Sequence, residues 1–393
     1  MKIGYLHIGP EQHGIRQYGE SLVAQARHNA SLSVIEVNVT LTSDWQQNRK
    51  MLADAARQLS VADVIHFQYN RSLWGGRSWA QFVHLSAFLG NCTCPLVATL
   101  HDVYLQRKSP LWQQAKPLNY KNVVDYIQQT YGPYALLLQW MFNQLQQILV
   151  CTEEEARRIR EFVDSSQLKD SKKLKVVPHF VKERTVKPIR TSARAALGLT
   201  DAKVLTVLGW IHSGKGHRLI VEALPELPSD VKLIFAGRPS LGCEGFAQEL
   251  LDLAAARGVS DRLQITGYLS DEEQARYLVA TDLAVCPFRE ISASGSLSTW
   301  ISVARPILAS DLPQMHEYNQ LEPGAIQIFR PYTPGALAEA IRNLLPRCTE
   351  REDARVARLR QQLGMPKIFD QHLSYYRQVA KGTAIAPTET VTV

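Results

Sequence analysis

Residues 290–311 read EISASGSLSTWISVARPILASD, and they follow an apolar run at 283–287 that has the composition of a buried strand. Glu290 is therefore expected where a parallel strand ends, which is the edge where open α/β sheets bind ligands. Residues 294–296, Ser-Gly-Ser, open a helical pattern that closes near Ala304, so backbone N–H groups without helical partners are expected at a helix N-terminus. A carboxylate beside such a turn predicts a sugar-phosphate site.

The composition is that of a globular protein with two domains. The chain has 393 residues, 45% of them hydrophobic and 21% charged, which is enough for two cores of roughly 150–200 residues each. No apolar run reaches the ~18–20 residues that a bilayer requires, and the first residues lack a signal-peptide core, so we expect a cytoplasmic protein. The six cysteines are scattered without zinc spacing. Cys151 and Cys286 lie in strand-like runs and are expected to be buried thiols.

The net charge of +7 is unevenly distributed. Residues 1–190 contain 23 Lys and Arg against 15 Asp and Glu, whereas residues 191–393 contain 21 against 22. A basic half suits phosphates, an anionic membrane face or nucleic acid, or it serves solubility alone. The charge by itself leaves these alternatives open.

Strand patterns alternate with helical patterns along the whole chain, which predicts parallel sheets in an α/β fold. The predicted strands are residues 3–8, 34–39, 64–67, 96–100 and 147–151 in the first half and 204–208, 231–236, 263–266, 283–287, 307–309 and 325–329 in the second. The turn after the first strand contains Gly14, but its glycines do not form G-x-G-x-x-G and no acid stands in the ribose-binding place, which disfavours a dinucleotide site. Gly14 is expected instead to let a phosphate or a sugar approach the backbone.

Two histidines, His66 and His101, lie within or just past the ends of neighbouring strand patterns. A histidine in this place is often structural, and for His101 a functional role is an equal alternative. Residues 102–134 are longer than an ordinary connection from strand to helix and are rich in aromatic and basic side chains, which predicts a substrate-contacting surface. The candidate acceptor-binding residues are Arg107, Lys108 and Trp112.

A second glycine-rich turn, GWIHSGKG at residues 209–216, separates a strand from a helix. It differs from a P-loop because Lys215 is followed by Gly216 and not by the Ser or Thr that binds magnesium, so a nucleoside triphosphatase is disfavoured. Lys215 can still neutralise a diphosphate as a point charge.

Taken together, these residues resemble the retaining glycosyltransferases of family 4, whose GT-B architecture has two Rossmann-like domains facing each other across a cleft. The resemblance covers nearly the whole chain, and it rests on the order and spacing of short motifs that are weak individually. The motifs are Gly14-Ile15-Arg16-Gln17-Tyr18, Thr99-Leu100-His101-Asp102, Val177-Pro178-His179, Leu208-Gly209-Trp210-Ile211 with Lys215-Gly216, Thr266-Gly267-Tyr268, and the 290–311 segment with Arg305-Pro306.

The resemblance implies a nucleoside-diphosphate sugar as co-substrate and no other cofactor. Lys215 would hold the diphosphate, Glu290 would contact the donor sugar, and His101 would lie near the reacting centre; these are the candidate catalytic residues. The loop at 267–270 would border the nucleobase. The candidate donor-binding residues are Gly14, Gly209, His212, Arg238, Gly267, Tyr268, Ser294, Gly295, Ser296, Ser298 and Thr299.

The chain departs from the family pattern at the donor site in two places. The second glutamate of the Glu-x7-Glu motif, which normally holds the ribose hydroxyls, is replaced by Ser298 or, in a different alignment, by Thr299. The arginine that usually follows the glycine of the diphosphate loop is Trp210, which leaves His212 or Arg238 to assist the lysine.

The resemblance also implies domain boundaries. We expect an acceptor-binding domain at residues 1–185, a linker at 186–200, a nucleotide-sugar-binding domain at 201–365, a helix at 366–380 that crosses back to the first domain, and a disordered tail at 381–393.

The function predicted from the sequence is transfer of a sugar to a glycan or lipid-linked acceptor, with retention of anomeric configuration, in polysaccharide or glycoconjugate biosynthesis. No His/Cys cluster or Asp-x-Asp pair at a strand end is present in the sequence, so a cation-dependent GT-A enzyme is disfavoured and no metal site is expected. No second carboxylate is evident opposite Glu290, so same-face attack by the acceptor is favoured over double displacement.

Two other classes of function remain open: a sugar-nucleotide or glycan-binding protein without activity, and a sugar-nucleotide epimerase on the same scaffold. The basic first half suggests peripheral binding to the inner face of an anionic membrane. No nucleic-acid partner is predicted.

Overall fold

The computed structural model describes residues 1–101, 103, 133–162, 171–182, 184, 188–240 and 242–383. Contacts divide the chain into two units, the first formed by residues 1–178 with 366–393 and the second by residues 179–365. Each unit contains a six-stranded sheet in which all paired strands are parallel. The predicted α/β fold with two parallel sheets is confirmed.

The sheet of the first unit has the strand order β2-β1-β3-β4-β5-β6. In its register, Gly4 lies between Ile35 and Ile65 of the neighbouring strands. The strands are β1 (Lys2–Ile8), β2 (Ser33–Val39), β3 (Val64–Tyr69), β4 (Leu96–Leu100), β5 (Gln147–Val150) and β6 (Leu174–Val176).

The sheet of the second unit consists of β7 (Lys203–Leu208), β8 (Val231–Ala236), β9 (Leu263–Ile265), β10 (Leu283–Cys286), β11 (Ile307–Ser310) and β12 (Ile326–Phe329). Its order is β12-β11-β10-β7-β8-β9, so the chain runs outward from β7 to one edge and then returns to β10 on the other side of β7. This reversal is the Rossmann strand order, and ligands bind outside the carboxyl ends of the two strands that flank it. The loops after β7 and β10 are therefore where a site is expected.

The helices among the described residues are α1 (Gly14–Arg27), α2 (Trp45–Leu59), α3 (Ser78–Leu89), α4 (Pro133–Gln144), α5 (Glu153–Phe162), α6 (Arg190–Ala196), α7 (His217–Ala223), α8 (Glu244–Ala256), α9 (Asp271–Ala280), α10 (Gly295–Ser302), α11 (Pro313–Leu321), α12 (Pro334–Leu344), α13 (Ala354–Gln362) and α14 (Met365–Thr383).

The inner strands form at the apolar runs because helices cover both faces of a parallel sheet and bury the side chains there. Strands β4 and β10, with sequences LVATL and LAVC, are buried along their whole length. Each unit has its own apolar core, centred on residues such as Phe67 and Phe88 in the first unit and Leu205 and Phe235 in the second. A fully buried side chain of this size contributes about 1.5–3 kcal/mol to folding.

Helix α6 lies within the range predicted as a linker, and it is fastened to the second unit. Arg190 Nη2 lies 2.5 Å from Asp282 Oδ1, and Arg194 Nη1 lies 3.1 Å from the other carboxylate oxygen. Asp282 is buried at the start of β10, so both arginines hold α6 against the sheet.

Helix α14 follows the second unit in sequence and packs in the first. It extends from Met365 to Thr383, so residues 381–383, predicted as the start of a disordered tail, are helical. The rest of that tail, residues 384–393, lies outside the described residues.

Two further predictions can be compared with the structure. Cys151 and Cys286 are buried as expected, and none of the six cysteines forms a disulfide. No helix in the described ranges combines the length and the apolar character needed to cross a membrane.

Candidate functional site

The loops after β7 and β10 meet at the reversal of the second sheet. We call residues 209–216 the glycine loop and residues 290–296 the serine turn. The backbone N–H of Arg289 donates to Gly214 O at 2.9 Å, which ties the glycine loop to the segment that leads into the serine turn. The two loops therefore form one continuous surface at the carboxyl edge of the sheet.

Glycine is required at Gly216, where the glycine loop enters helix α7. Its φ is +74°, and a Cβ built on it would lie 1.8 Å from the carbonyl oxygen of Pro287. Gly209 also has a positive φ, +101°, and its Cβ would lie 2.7 Å from Lys215 Nζ. Because these two positions have no side chains, the glycine loop can lie against the end of β10 and the Lys215 side chain can lie against Gly209.

The side chain of Lys215 turns inward toward the end of β7. Its Nζ donates to Leu208 O at 2.8 Å and to Ser296 Oγ at 3.0 Å. Burial lowers the pKa of this ammonium to about 8. No carboxylate among the described residues forms an ion pair with it, so a positive charge is held between two neutral oxygens, an arrangement that favours binding of an anion.

Ser296 belongs to the N-terminal turn of helix α10. Ser294 caps this helix, since its Oγ accepts from Leu297 N at 3.2 Å and lies 3.0 Å from Ser296 Oγ. The first turn contains no acidic residue, and a Cβ on Gly295 would meet no atom within 4 Å. Open N–H groups at a helix N-terminus therefore lie beside the Lys215 ammonium, and both attract negative charge.

Glu290 and His212 border this anion site. Glu290 is exposed, just after β10. The pKa of His212 is lowered by its burial and by the Lys215 charge, and the nearby Glu290 carboxylate opposes this shift. His212 is therefore neutral at pH 7, which leaves Lys215 as the cation of the pair.

Ser298 and Thr299, the two candidates for the missing glutamate, face different surroundings. Ser298 is buried, and its Oγ lies 3.1 Å from His179 Nδ1. Thr299 is partly exposed, and its hydroxyl donates to Gly295 O at 2.8 Å within helix α10. Of the two, Thr299 is the one that a ligand can reach.

Arg238 lies between two aromatic rings at the ends of β7, β8 and β9. Its guanidinium carbon is 4.6 Å from the ring centre of Trp210 and 5.3 Å from that of Tyr268. Trp210 and Tyr268 are 49% and 68% exposed, respectively, so the stack presents aromatic surface to solvent. Gly267 precedes Tyr268 with a φ of +76°, a backbone conformation that glycine adopts without strain.

Two predicted residues of the first unit, Gly14 and His101, lie in the part of the chain that the structure describes. Gly14 is exposed at the start of helix α1, where a Cβ would meet no atom within 4 Å. His101 is buried just after β4, and its Nε2 lies 2.8 Å from Gln68 Oε1. Arg107, Lys108 and Trp112, predicted to bind the acceptor, lie outside the described residues.

Tyr332 supports the site and was not predicted from the sequence. Its hydroxyl donates to Pro287 O at 2.9 Å, the same carbonyl that excludes a side chain at Gly216. Gln314 Nε2 donates to Ile291 O at 2.9 Å and holds the beginning of the serine turn. Neither residue belongs to a recognisable motif, so no signal in the sequence could have identified them.

No group of three His, Cys, Asp or Glu side chains that could hold a metal ion occurs in the part of the chain that the structure describes. Metal independence stays a prediction.

The geometry at the reversal of the second sheet agrees with a comparison of sequences. Residues 202–347 match the family described as Glycosyl transferases group 1. The matched residues make up less than half of the chain. They include the glycine loop, the serine turn and the Trp210–Arg238–Tyr268 stack.

Characterised relatives align with part of the chain. Alpha-D-kanosaminyltransferase of Streptomyces kanamyceticus is 28% identical over 198 residues, which are 48% of this chain and 49% of that protein. D-inositol 3-phosphate glycosyltransferase of Mycobacterium sp. (strain KMS) is 30% identical over 151 residues, 38% of this chain and 33% of that protein. The aligned region thus spans half or less of the length of these relatives.

Solved structures show that the likeness in fold extends beyond the residues that match this family. Anabaena Alr3699/HepE in complex with UDP and glucose superposes with a TM-score of 0.70, covering 96% of this chain and all of that chain at 15% identity. The sucrose-phosphate synthase of Thermosynechococcus elongatus gives 0.69 over 97% of this chain and 100% of that chain at 16% identity. WaaG, a glycosyltransferase involved in lipopolysaccharide biosynthesis, gives 0.60 over 96% of this chain and 99% of that chain at 14% identity. The fold is therefore that of GT-B glycosyltransferases.

Proposed function

We propose that this protein transfers a sugar from a nucleoside-diphosphate sugar to a glycan or lipid-linked acceptor, with retention of anomeric configuration, as a member of glycosyltransferase family 4. The observation that carries the proposal is the Lys215 ammonium, which is held beside the N-terminus of α10 without a carboxylate partner among the described residues. A diphosphate supplies the negative charge that this arrangement favours.

In the proposed reaction, the bond between the anomeric carbon and the diphosphate oxygen breaks while the acceptor oxygen attacks from the same face. The acceptor's proton passes to the departing diphosphate. Lys215 and the N–H groups of α10 stabilise the charge that develops on the leaving oxygen, and because they are already in place little reorganisation is needed. Glu290 contacts the donor sugar.

The charge of Lys215 and of the α10 N-terminus fills the role that a divalent cation plays in other glycosyltransferases, so the proposed reaction needs no metal. The exposed stack of Trp210, Arg238 and Tyr268 offers flat surfaces for a nucleobase. We assign the base of the donor to this stack.

A donor panel tests the proposed activity. The purified protein is incubated with UDP-, GDP- and dTDP-sugars and a cell extract as the source of acceptor, and release of nucleoside diphosphate is measured. We expect release with one donor class, and we expect Lys215→Ala and Glu290→Ala each to abolish it. UDP-sugars come first because solved structures of the same fold contain UDP.

The same panel separates the alternatives. Binding of a donor without turnover across the panel would contradict transfer and favour a sugar-nucleotide-binding protein. This alternative is supported by Ser298, one of the two candidates for the missing glutamate, because its hydroxyl is already hydrogen-bonded to His179. Interconversion of the donor without acceptor would indicate an epimerase.

We further propose that the first unit binds an anionic lipid surface through helix α2. A groove of about 500 Å³ on this helix is lined by Trp45, Arg49, Lys50 and Arg57, among others. These four side chains are exposed, and a tryptophan beside cations suits the interface of an anionic bilayer.

Charge reversal on α2 tests the lipid contact. The Arg49→Glu/Lys50→Glu variant is expected to lose at least about tenfold in affinity for phosphatidylserine vesicles at low salt, since each basic residue contributes about 1 kcal/mol near such a surface. Co-sedimentation measures the bound fraction. The control variant Arg218→Glu/Lys232→Glu reverses two basic residues of the second unit and should bind like the wild type. Wild-type protein that stays in the supernatant at low salt would refute the contact.

A further inference from the structure

A chain of buried polar side chains connects His101 to the C-terminal helix within the first unit. We call it the histidine network, and its members are His66 and Gln68 on β3, Thr99 on β4, His101 just after β4, and Tyr376 on α14. All five are buried. Buried polar groups are costly unless their hydrogen bonds are made, so the partner of each atom in the network is constrained by the others.

The network is continuous at hydrogen-bond distances. His101 Nε2 lies 2.8 Å from Gln68 Oε1, and Gln68 Nε2 lies 3.4 Å from His66 Nε2. Thr99 Oγ1 lies 2.8 Å from the same His66 nitrogen. On the other side of the ring, His66 Nδ1 lies 2.7 Å from the hydroxyl of Tyr376.

The positions of the protons follow from the amide of Gln68. An amide oxygen only accepts, so His101 must donate from Nε2 to Gln68 Oε1. The amide nitrogen only donates, so Gln68 presents an N–H to His66 Nε2, which acts as an acceptor for Thr99 as well. The proton of His66 is then on Nδ1, where it is donated to Tyr376.

This assignment requires His66 to carry a single proton. Burial, with smaller contributions from His372, His101 and His7, lowers the pKa of His66 well below its ordinary value, so the ring is neutral at pH 7. A neutral imidazole has one donor and one acceptor, which matches the partners on its two sides.

We propose that Gln68 and His66, with Tyr376 of helix α14 behind them, are positioning residues that hold His101 as the tautomer with its proton on Nε2 and its lone pair on Nδ1. The proposal rests on the proposed function in that the family resemblance makes His101 a candidate catalytic residue. A ring in this tautomer has its acceptor at Nδ1, which suits a hydroxyl group and not a diphosphate oxygen.

The tautomer is measured directly by long-range ¹H–¹⁵N spectra of the full-length protein labelled with [¹⁵N]histidine. The His101 signals are identified by their loss in His101→Asn. We expect the wild-type ring to show a protonated Nε2 and an unprotonated Nδ1. A proton on Nδ1 in the wild type would overturn the proposal.

Two variants test which residues set the tautomer of His101, and a third variant serves as a matched reference. Gln68→Met is expected to convert His101 to a mixture of tautomers. Tyr376→Phe is expected to change the signals of His66, the ring that Tyr376 contacts. Tyr375→Phe removes a hydroxyl from the neighbouring position of α14 and should leave both rings unchanged. His101 signals identical in Gln68→Met and the wild type would overturn the role of Gln68, and unchanged His66 signals in Tyr376→Phe would overturn that of Tyr376.

Turnover distinguishes this proposal from the proposed function. Gln68→Met should lower kcat on the order of 10²-fold while nucleotide affinity stays unchanged, because Lys215 and α10 are untouched. If no donor is turned over by the wild type, the proposed function fails while the spectra still decide the tautomer. If turnover is normal in Gln68→Met while the tautomer changes, Gln68 does not act through His101.

Discussion

Replacing Lys215 with methionine is expected to weaken binding of the nucleoside diphosphate on the order of 10²-fold and to leave the fold intact. Methionine keeps the length and apolar stem of the side chain and removes only the ammonium, so the diphosphate loses its buried charge partner, a loss of about 2–5 kcal/mol. Without the anion, the wild-type ammonium has no carboxylate partner among the described residues, so its removal should keep or raise Tm. Isothermal titration with UDP and a thermal melt give the two values.

The matched control is Lys232→Met in the same unit. Lys232 lies near the beginning of β8, its ammonium contacts Asp261, and the strand's opposite end leads to the site, so nucleotide affinity should not change. If Lys215→Met binds UDP as tightly as the wild type does, Lys215 does not contribute to binding of the diphosphate.

The same lysine predicts how affinity depends on pH. The pKa of Lys215 is lowered to about 8, so its charge is lost as pH rises through this value and the Kd for UDP should increase up to about tenfold per pH unit above it. Two nearby groups stay outside this window, because burial lowers the pKa of His217 to about 3 and raises that of Cys286 to about 12. Lys215→Met should show no such dependence.

Replacing Gly216 with alanine is expected to destabilise the second unit by about 2–5 kcal/mol. A left-handed backbone costs a residue with a Cβ about 1–2 kcal/mol, and crowding in a packed region adds about 1–3 kcal/mol. Here the Cβ would lie 1.8 Å from a backbone oxygen, which cannot move away as a side chain can. Denaturant unfolding measures the loss, and nucleotide binding should fall with it because the glycine loop must shift.

Gly245→Ala is the matched control for this substitution. Gly245 lies in helix α8, has no positive φ, and its Cβ would meet no atom within 4 Å. Alanine there should be neutral or stabilising by up to about 1 kcal/mol. If both variants unfold at the same denaturant concentration, the close approach to Pro287 is not a constraint on the loop.

Local patterns in the sequence sufficed to predict the strands and the end of the sheet where a site lies. A short apolar run bounded by turn residues suits a strand that is buried on both faces of a covered parallel sheet, so the alternation of runs such as 283–287 with helical patterns predicted the strands. Loops at strand ends are brought together by topology, which explains how Lys215 and Ser296, assigned to one site by the family resemblance, come within 3.0 Å of each other after β7 and β10.

The choice between Ser298 and Thr299 could not be made from the sequence. One residue along a helix rotates the side chain by about 100°, which is enough to move it from the core to the surface. The alignment of the Glu-x7-Glu motif with this sequence is uncertain by one residue. Only the packing of α10, which buries Ser298 against His179, decides which hydroxyl faces outward.

Long-range partners were also beyond prediction. The bond from Tyr332 to Pro287 and the place of Arg238 between two rings depend on how separate loops meet. His66 was identified by its position in a strand, but Tyr376, its partner, lies 310 residues away in a helix that has no motif.

The placement of helix α14 has a consequence for synthesis of the protein on the ribosome. The second unit is one uninterrupted segment, and all of its contacts are available once residue 365 has emerged. In the first unit, the hydrogen-bond partners of His66 and Tyr18, which are Tyr376 and His372, are synthesised 310 and 354 residues later. At about 5–20 residues per second, His66 stays without Tyr376 for roughly 15–60 s. The unit whose synthesis begins first is therefore the last to be finished.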